Sequence, residues 1–80
     1  MPRLRLTART RTDRLTDAEI YRITYVFGQF FPTSWSHIEY PEYTPTAEVV
    51  VEGQDLLLTP GIADSVAQIL GPFDEAIEPI

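Results

Sequence analysis

The sequence contains no cysteine and no lysine, and both absences limit its chemistry. Without cysteine a disulfide scaffold is excluded, and the pair His37 and Glu39 cannot be completed to the cysteine-containing zinc site of a nucleobase deaminase. Without lysine a Walker-type phosphate-binding loop is excluded. We expect no bound cofactor and no metal ion.

Long apolar runs are also missing. No run approaches the ~18 residues that cross a bilayer as a helix. The first dozen residues lack the apolar segment of a cleaved secretion signal. We therefore expect no membrane partner and no signal peptide, and a protein that is cytoplasmic or associated with a virion.

The length of 80 residues permits one small domain with a thin core, because folding at this size removes only about 60 to 65% of the unfolded chain's surface from water. A second domain and a large enclosed active site are excluded. We divide the chain into a basic N-terminal arm or edge strand, residues 1–15, and a single small α+β domain, residues 16–80.

Cations are confined to one end of the chain. Residues 1–22 hold all six arginines and three carboxylates, a net charge of +3. Residues 23–80 hold nine carboxylates and no cation, which gives −9 there and −6 for the whole chain. A basic arm is thus attached to an acidic body. Two interpretations stay open: the arm folds back onto its own body, or it reaches a partner.

The arm alternates with the period of a β-strand. One parity is polar and holds Arg3, Arg5, Thr7, Arg9 and Arg11. The other parity holds Leu4, Leu6, Ala8, Thr10 and Thr12. This pattern predicts a strand whose four arginines share one face, where they can bind carboxylates or phosphates.

A capping box marks the start of the first helix. The Thr16 hydroxyl can accept a hydrogen bond from the Glu19 amide, while the Glu19 side chain reaches back to the Thr16 amide. We predict a helix from Asp17 to Phe30, ended by Pro32. It carries one apolar stripe of Ile20, Ile23, Phe27 and Phe30 and a second of Ala18, Tyr21, Tyr25 and Gly28. Such a helix needs cover on more than one side.

The second half of the chain predicts strands and one more helix. We expect a short strand at 38–40 and a hairpin of strands 47–52 and 55–59 around Gly53 and Gln54. The apolar runs 49–51 and 56–58 predict strands that are buried on both faces.

The second helix has clear signals at both ends. Thr59 as the N-cap and Pro60 at the first helical position open it, and Gly71 stops it after Leu70. The acidic segment 73–80 follows as a docked or frayed tail. The expected fold is α+β, in the order β-α-β-β-α, with a mainly antiparallel sheet and two helices.

Candidates for catalysis are few. His37 is the one histidine, and Ser34, Ser36, Glu39 and Glu42 lie near it in sequence. No nucleophile elbow or oxyanion donor accompanies them. A metal site of His37, Glu39 and Glu42 would be short of ligands. We therefore expect no enzyme.

The apolar surface exceeds what two helices can cover, which indicates protein binding. We predict a protein-binding subunit of a larger assembly, for example a virion or tail component, that binds itself or another protein. Aromatic residues and arginine are enriched at the centres of interfaces. The expected contacts are Arg3, Arg5, Arg9, Arg11, Tyr21, Tyr25, Trp35, Tyr40 and Tyr43. The open alternative is that the apolar strands only fill a tight core.

A second function remains open from the sequence. The protein could be a small acidic inhibitor of phage type that blocks a nucleic-acid-binding protein such as a defence effector. Glu48, Glu52 and Asp55 would then form the acidic face that replaces nucleic acid. We do not expect direct contact of the arm with nucleic acid, because the acidic body would repel the same polyanion.

Overall fold

A computed structural model of the chain describes residues 2–30, 35–54 and 56–78. These residues form one four-stranded sheet and two helices in the order β-α-β-β-α-β. The elements are β1 (Arg3–Ala8), α1 (Asp17–Phe30), β2 (Trp35–Glu39), β3 (Glu48–Gly53), α2 (Pro60–Leu70) and β4 (Phe73–Glu78). The predicted α+β class is confirmed, and all strand pairs are antiparallel.

The basic strand β1 lies inside the sheet. The strand order is β2-β3-β1-β4, so that β1 pairs with β3 on one side and with β4 on the other. Residues 3–8 are therefore neither a free arm nor an edge strand. Because their backbone groups are paired on both sides, removing them would separate β4 from the rest of the sheet and leave one side of β3 unpaired. The basic segment is part of the domain.

The helices cover one face of the sheet. Leu4 and Leu6 of β1 and Val49 and Val51 of β3 lie on that face and join the apolar sides of both helices in one core. Val50 belongs to the opposite face and is still only 3% exposed. The expectation that the three valines are buried on both faces of their strand is confirmed.

The first helix has the predicted bounds. The Glu19 amide donates to Thr16 Oγ1 at 3.2 Å and the Thr16 amide donates to Glu19 Oε1 at 2.9 Å, which completes the capping box. Ile23 and Phe27 of the first apolar stripe are fully buried. The local signal at four residues thus fixes where α1 begins.

The second helix also has the predicted bounds, but one of its caps differs. Thr59 is the N-cap, as predicted, in an extended conformation, but its side chain makes no capping hydrogen bond. Pro60 fixes the first turn through its ring. Gly71 ends the helix with φ of 75°, which favours glycine, and donates its amide to the Ala67 carbonyl at 2.9 Å.

The predicted hairpin does not form. Its first strand is β3, but residues 56–59 are not a strand, and Leu57 is 70% exposed. Leu56 and Leu58 pack against the core from a loop instead. The sheet takes the acidic tail as β4, so that segment is docked. The strand expected at 38–40 begins earlier, as β2.

Some expectations fall on residues outside those that the structure describes. They are the packing of the Phe30 side chain, the helix stop at Pro32, and the parts assigned to Ser34, Asp55 and Ile80.

Leu6 and Leu57 allow a matched test of this core. Leu6→Ala is expected to lower the free energy of unfolding by about 2–5 kcal/mol, because a fully buried side chain leaves a cavity. Leu57→Ala is expected to change it by less than about 0.5 kcal/mol, because that side chain is exposed. Urea unfolding followed by circular dichroism measures both. Equal losses would mean that Leu57 belongs to the core after all.

Candidate functional site

Five of the six arginines form ion pairs within the chain. Two of them lie on the sheet face that the helices leave open. Arg3 Nε is 2.7 Å from Glu52 Oε1. Arg5 Nη1 is 2.6 Å from Glu48 Oε1, and its Nε is 3.2 Å from Glu78 Oε1. Arg5 thus bridges both strands that flank its own, and the hydrogen bond that it donates to Glu48 is the main cause of its raised pKa.

Two further pairs are more exposed. Arg9 Nη2 is 2.7 Å from Asp74 Oδ1, and Arg14 Nη2 is 2.8 Å from Glu42 Oε1. Exposed pairs of this kind typically contribute less than about 1 kcal/mol. The basic segment is folded back onto its own body, which is the first of the two interpretations that the sequence left open.

Arg11 connects three parts of the chain. Its Nη1 and Nη2 donate to the two carboxylate oxygens of Glu19, each at 2.6 Å. The same guanidinium donates to the carbonyl oxygens of Ile69 at 3.0 Å, Arg14 at 3.1 Å and Asp13 at 3.2 Å. A two-pronged arginine–carboxylate pair is a strong hydrogen-bonding arrangement. It holds the first turn of α1 against the last turn of α2.

Two of the predicted aromatic contacts hold the fold together. Trp35 is half-buried against the core. The Tyr40 hydroxyl lies 2.6 Å from Thr24 Oγ1 and donates to the Ile20 carbonyl at 3.2 Å. Burial raises the pKa of Tyr40. Tyr40 therefore fastens the segment after β2 to α1.

Tyr21 and Tyr25 remain exposed, at 72% and 61%. They lie one turn apart on α1 and border a groove between the two helices. We call it the tyrosine groove, and it is lined by Tyr21, Arg22, Tyr25, Val26, Ser65, Gln68 and Ile69. Tyr43 is also exposed, in the loop between β2 and β3, and does not line this groove.

Arg22 is a member of this groove that the sequence prediction missed. Among the described residues it is the one arginine without an ion pair. Its position between two tyrosines was visible in the sequence, but the pairing of the other arginines is not. The residues from α2 were missed because the packing of two helices side by side has no local sequence signal.

The predicted acidic face is not an open patch of charge. Glu48 and Glu52 are paired with Arg5 and Arg3 on the same face of the sheet. Asp55 lies outside the described residues. The structure therefore brings two of the three predicted carboxylates together, but each with a cation beside it.

His37 forms a pair with Glu39 on the exposed strand β2, with 3.1 Å between His37 Nε2 and Glu39 Oε1. The nearby Ser36 hydroxyl donates to the Glu52 carbonyl at 3.5 Å. Within residues 2–30, 35–54 and 56–78, no group of three or more histidine, aspartate or glutamate side chains is placed to hold a metal ion. A histidine–carboxylate pair orients an imidazole, but a triad also needs a nucleophile aimed at it.

No protein-family model, curated protein or solved structure matches this chain. In the part of the chain that the structure describes, neither helix is long and apolar enough to cross a membrane. Function must therefore be argued from the surfaces described above.

The Arg11–Glu19 pair predicts how stability depends on pH. The hydrogen bond from Arg11, helped by Thr16, lowers the pKa of Glu19 from 4.5 to about 2. A carboxylate with a lowered pKa stabilises the fold above its unfolded pKa, and this contribution is lost as the pH falls through the folded pKa. Between these two values, Glu19→Gln is therefore expected to lose less stability on acidification than the unaltered protein.

Urea unfolding at a series of pH values from about 5 to about 2 measures this difference. Arg11→Gln is the matched variant, because it removes the same pair from the other side; it should also flatten the profile, but less, because Thr16 still binds the Glu19 carboxylate. An equally steep profile in all three proteins would contradict the role of the pair.

Proposed function

We propose that this protein is a non-enzymatic subunit of a larger assembly and that it binds another protein of that assembly through the tyrosine groove. A virion or tail structure is the proposed setting, by analogy with other short, cysteine-free subunits. The observation that carries the proposal is the pair of exposed tyrosines, Tyr21 and Tyr25, on one face of α1.

Tyrosine is well suited to such a contact. It offers a large flat surface with few rotatable bonds, so that ordering it on binding costs little entropy. Tyrosine and arginine are also enriched among the residues that carry most of the binding energy. Here Tyr21 and Tyr25 lie beside Arg22 on the helix, and Val26 and Ile69 add apolar surface to the groove.

The charge of the groove indicates what the partner brings. Arg22 is unpaired among the described residues, whereas the other arginines already contact carboxylates. A guanidinium that is not paired within its own chain can bind a carboxylate of another protein through two parallel hydrogen bonds. The partner that fits therefore presents apolar side chains to the tyrosines and a carboxylate to Arg22.

The other predicted contacts are less suited to docking. Arg3, Arg5, Arg9 and Arg11 would have to leave carboxylates of their own chain before meeting a partner. The same pairing argues against direct binding of phosphates by the basic segment. We therefore assign docking to the helix surface and assign these four arginines a role in stabilising the fold.

The acidic inhibitor is the alternative, and it rests on the −6 charge of the chain. Its expected face includes Glu48 and Glu52, and both are held by arginines at 2.6–2.7 Å. A basic partner would have to displace these arginines. The alternative therefore has less support than the tyrosine groove.

Site-specific photo-crosslinking tests the proposal in the cells where the assembly forms. A benzophenone amino acid replaces Tyr21, and the same group at exposed Thr10 is the control. We expect one defined protein to be captured from position 21 and not from position 10. Capture of the same set from both positions, or of a second copy of this chain, would contradict the proposed partner.

The captured protein is then purified and its dissociation constant measured by calorimetry. Tyr21→Ala and Tyr25→Ala are each expected to weaken binding by about tenfold or more, as truncation of a central tyrosine does. Leu57→Ala is the control, because it removes an exposed apolar side chain elsewhere. Unchanged affinity in both tyrosine variants would refute the assignment.

A further inference from the structure

The outer side of β4 is an open sheet edge. β4 is the last strand in the order β2-β3-β1-β4, and within the described residues only β1 pairs with it. Its six pairs with β1 run in unbroken register, without a bulge or proline. The opposite edge, β2, has five residues and an irregularity between Trp35 and His37. A regular open edge is the kind that accepts another strand.

The backbone groups on this edge can be assigned from the ladder. The Arg9 amide donates to the Pro72 carbonyl at 2.8 Å, one pair beyond the end of the β1–β4 register. Because hydrogen-bonded and non-hydrogen-bonded pairs alternate, the even-numbered residues of β4 bond to β1. The odd-numbered residues direct their amides and carbonyls to the open edge: Phe73, Glu75 and Ile77.

The side chains of β4 carry charge of one sign. Asp74, Glu75 and Glu78 are acidic, and no residue of the strand is basic. A second copy of β4 centred antiparallel on Ala76 would place Asp74 opposite Glu78 twice. Like charges directly opposite one another destabilise a sheet. Charge therefore disfavours self-pairing and favours a basic strand.

β1 shows which sequence fits β4. Its arginines alternate with leucines, and Arg5 and Arg9 reach Glu78 and Asp74 on the open face. Its leucines lie on the other face, where Ile77 is opposite Leu4 and is still 64% exposed. Unlike Glu48 and Glu52, the paired Asp74 and Glu78 side chains remain 65% and 44% exposed, so they can contact a second cation. A strand of the same pattern on the outer side would cover Ile77 and bring cations to these two carboxylates.

We propose that the open edge of β4 binds an extended segment of a partner protein in which basic and apolar residues alternate. The segment adds a fifth strand through the amides and carbonyls of Phe73, Glu75 and Ile77. Backbone hydrogen bonds supply the attachment, and the alternation sets the register. This surface is separate from the tyrosine groove and goes beyond the function proposed above.

The probe is a capped, fluorescent peptide with the sequence of residues 3–8, added to the full chain. Its control has the same composition with the arginines adjacent and the leucines adjacent. Fluorescence anisotropy is expected to show binding of the alternating peptide, at least about tenfold tighter than the control and weaker in high salt. No binding of the alternating peptide, or equal binding of both, would overturn the proposal.

Glu75 provides a matched pair of variants. Glu75→Pro removes an amide that points to the open edge and spares the bonds to β1, so it is expected to weaken peptide binding by about tenfold or more. Glu75→Ala keeps the amide and is expected to weaken binding by less than about threefold. Equal effects of the two variants would overturn the edge as the binding site.

Hydrogen exchange by NMR keeps the test independent of how well the proline variant folds. In the unaltered protein, the peptide is expected to slow exchange at the Glu75 and Ile77 amides. Protection at other sites only would overturn the proposal, and protection without peptide would identify a second copy as the occupant instead. Tyr21→Ala is expected to leave peptide binding unchanged, which separates this surface from the tyrosine groove.

Discussion

The fold depends on one basic strand that lies between two acidic ones. β1 carries its arginines on the open face of the sheet, and both neighbouring strands carry carboxylates there. Arg5 contacts each neighbour, through Glu48 and Glu78. Opposite charges across a ladder stabilise it and like charges weaken it. Placing β3 directly beside β4 would bring carboxylate against carboxylate, so charge and the buried leucines favour the same strand order.

This arrangement changes how the uneven distribution of charge along the chain is interpreted. In the sequence, +3 at one end and −9 over the rest resemble a docking arm on an acidic body. In the fold, Arg3, Arg5 and Arg9 pair with carboxylates of the neighbouring strands, and β1 lies inside the sheet. On the helices, by contrast, Arg22 has no carboxylate partner among the described residues and lies near two exposed tyrosines. A run of charged residues is evidence for a binding partner only after the ion pairs that it forms within its own chain are known.

The sequence predicts the helices of this protein better than its strands, for a physical reason. Helix ends are decided within a few residues, and Thr16, Glu19, Pro60 and Gly71 mark three of the four ends correctly. Strands are decided by distant partners. The run 56–58 is continuously apolar but has no place in the ladder, whereas β4 has low strand propensity and pairs with β1, about 65 to 75 residues away. The exposed tyrosines could be predicted because they follow from the local pattern of α1. The residues of α2 that line the same groove could not, because they depend on how the two helices pack.

The charge rule that places β1 also limits what can extend the sheet. An acidic strand has two sides, and each is compatible with a basic neighbour. Among the described residues, β3 has both sides occupied, by β1 and β2, whereas β4 has a neighbour on one side only. Its carboxylates therefore act in two ways: they bind β1 from one side, and on the other they discourage a second β4 from pairing. The proposed edge therefore combines regular amides and carbonyls with a charge that favours a basic strand, and β1 is the example in this chain of a sequence that pairs with β4.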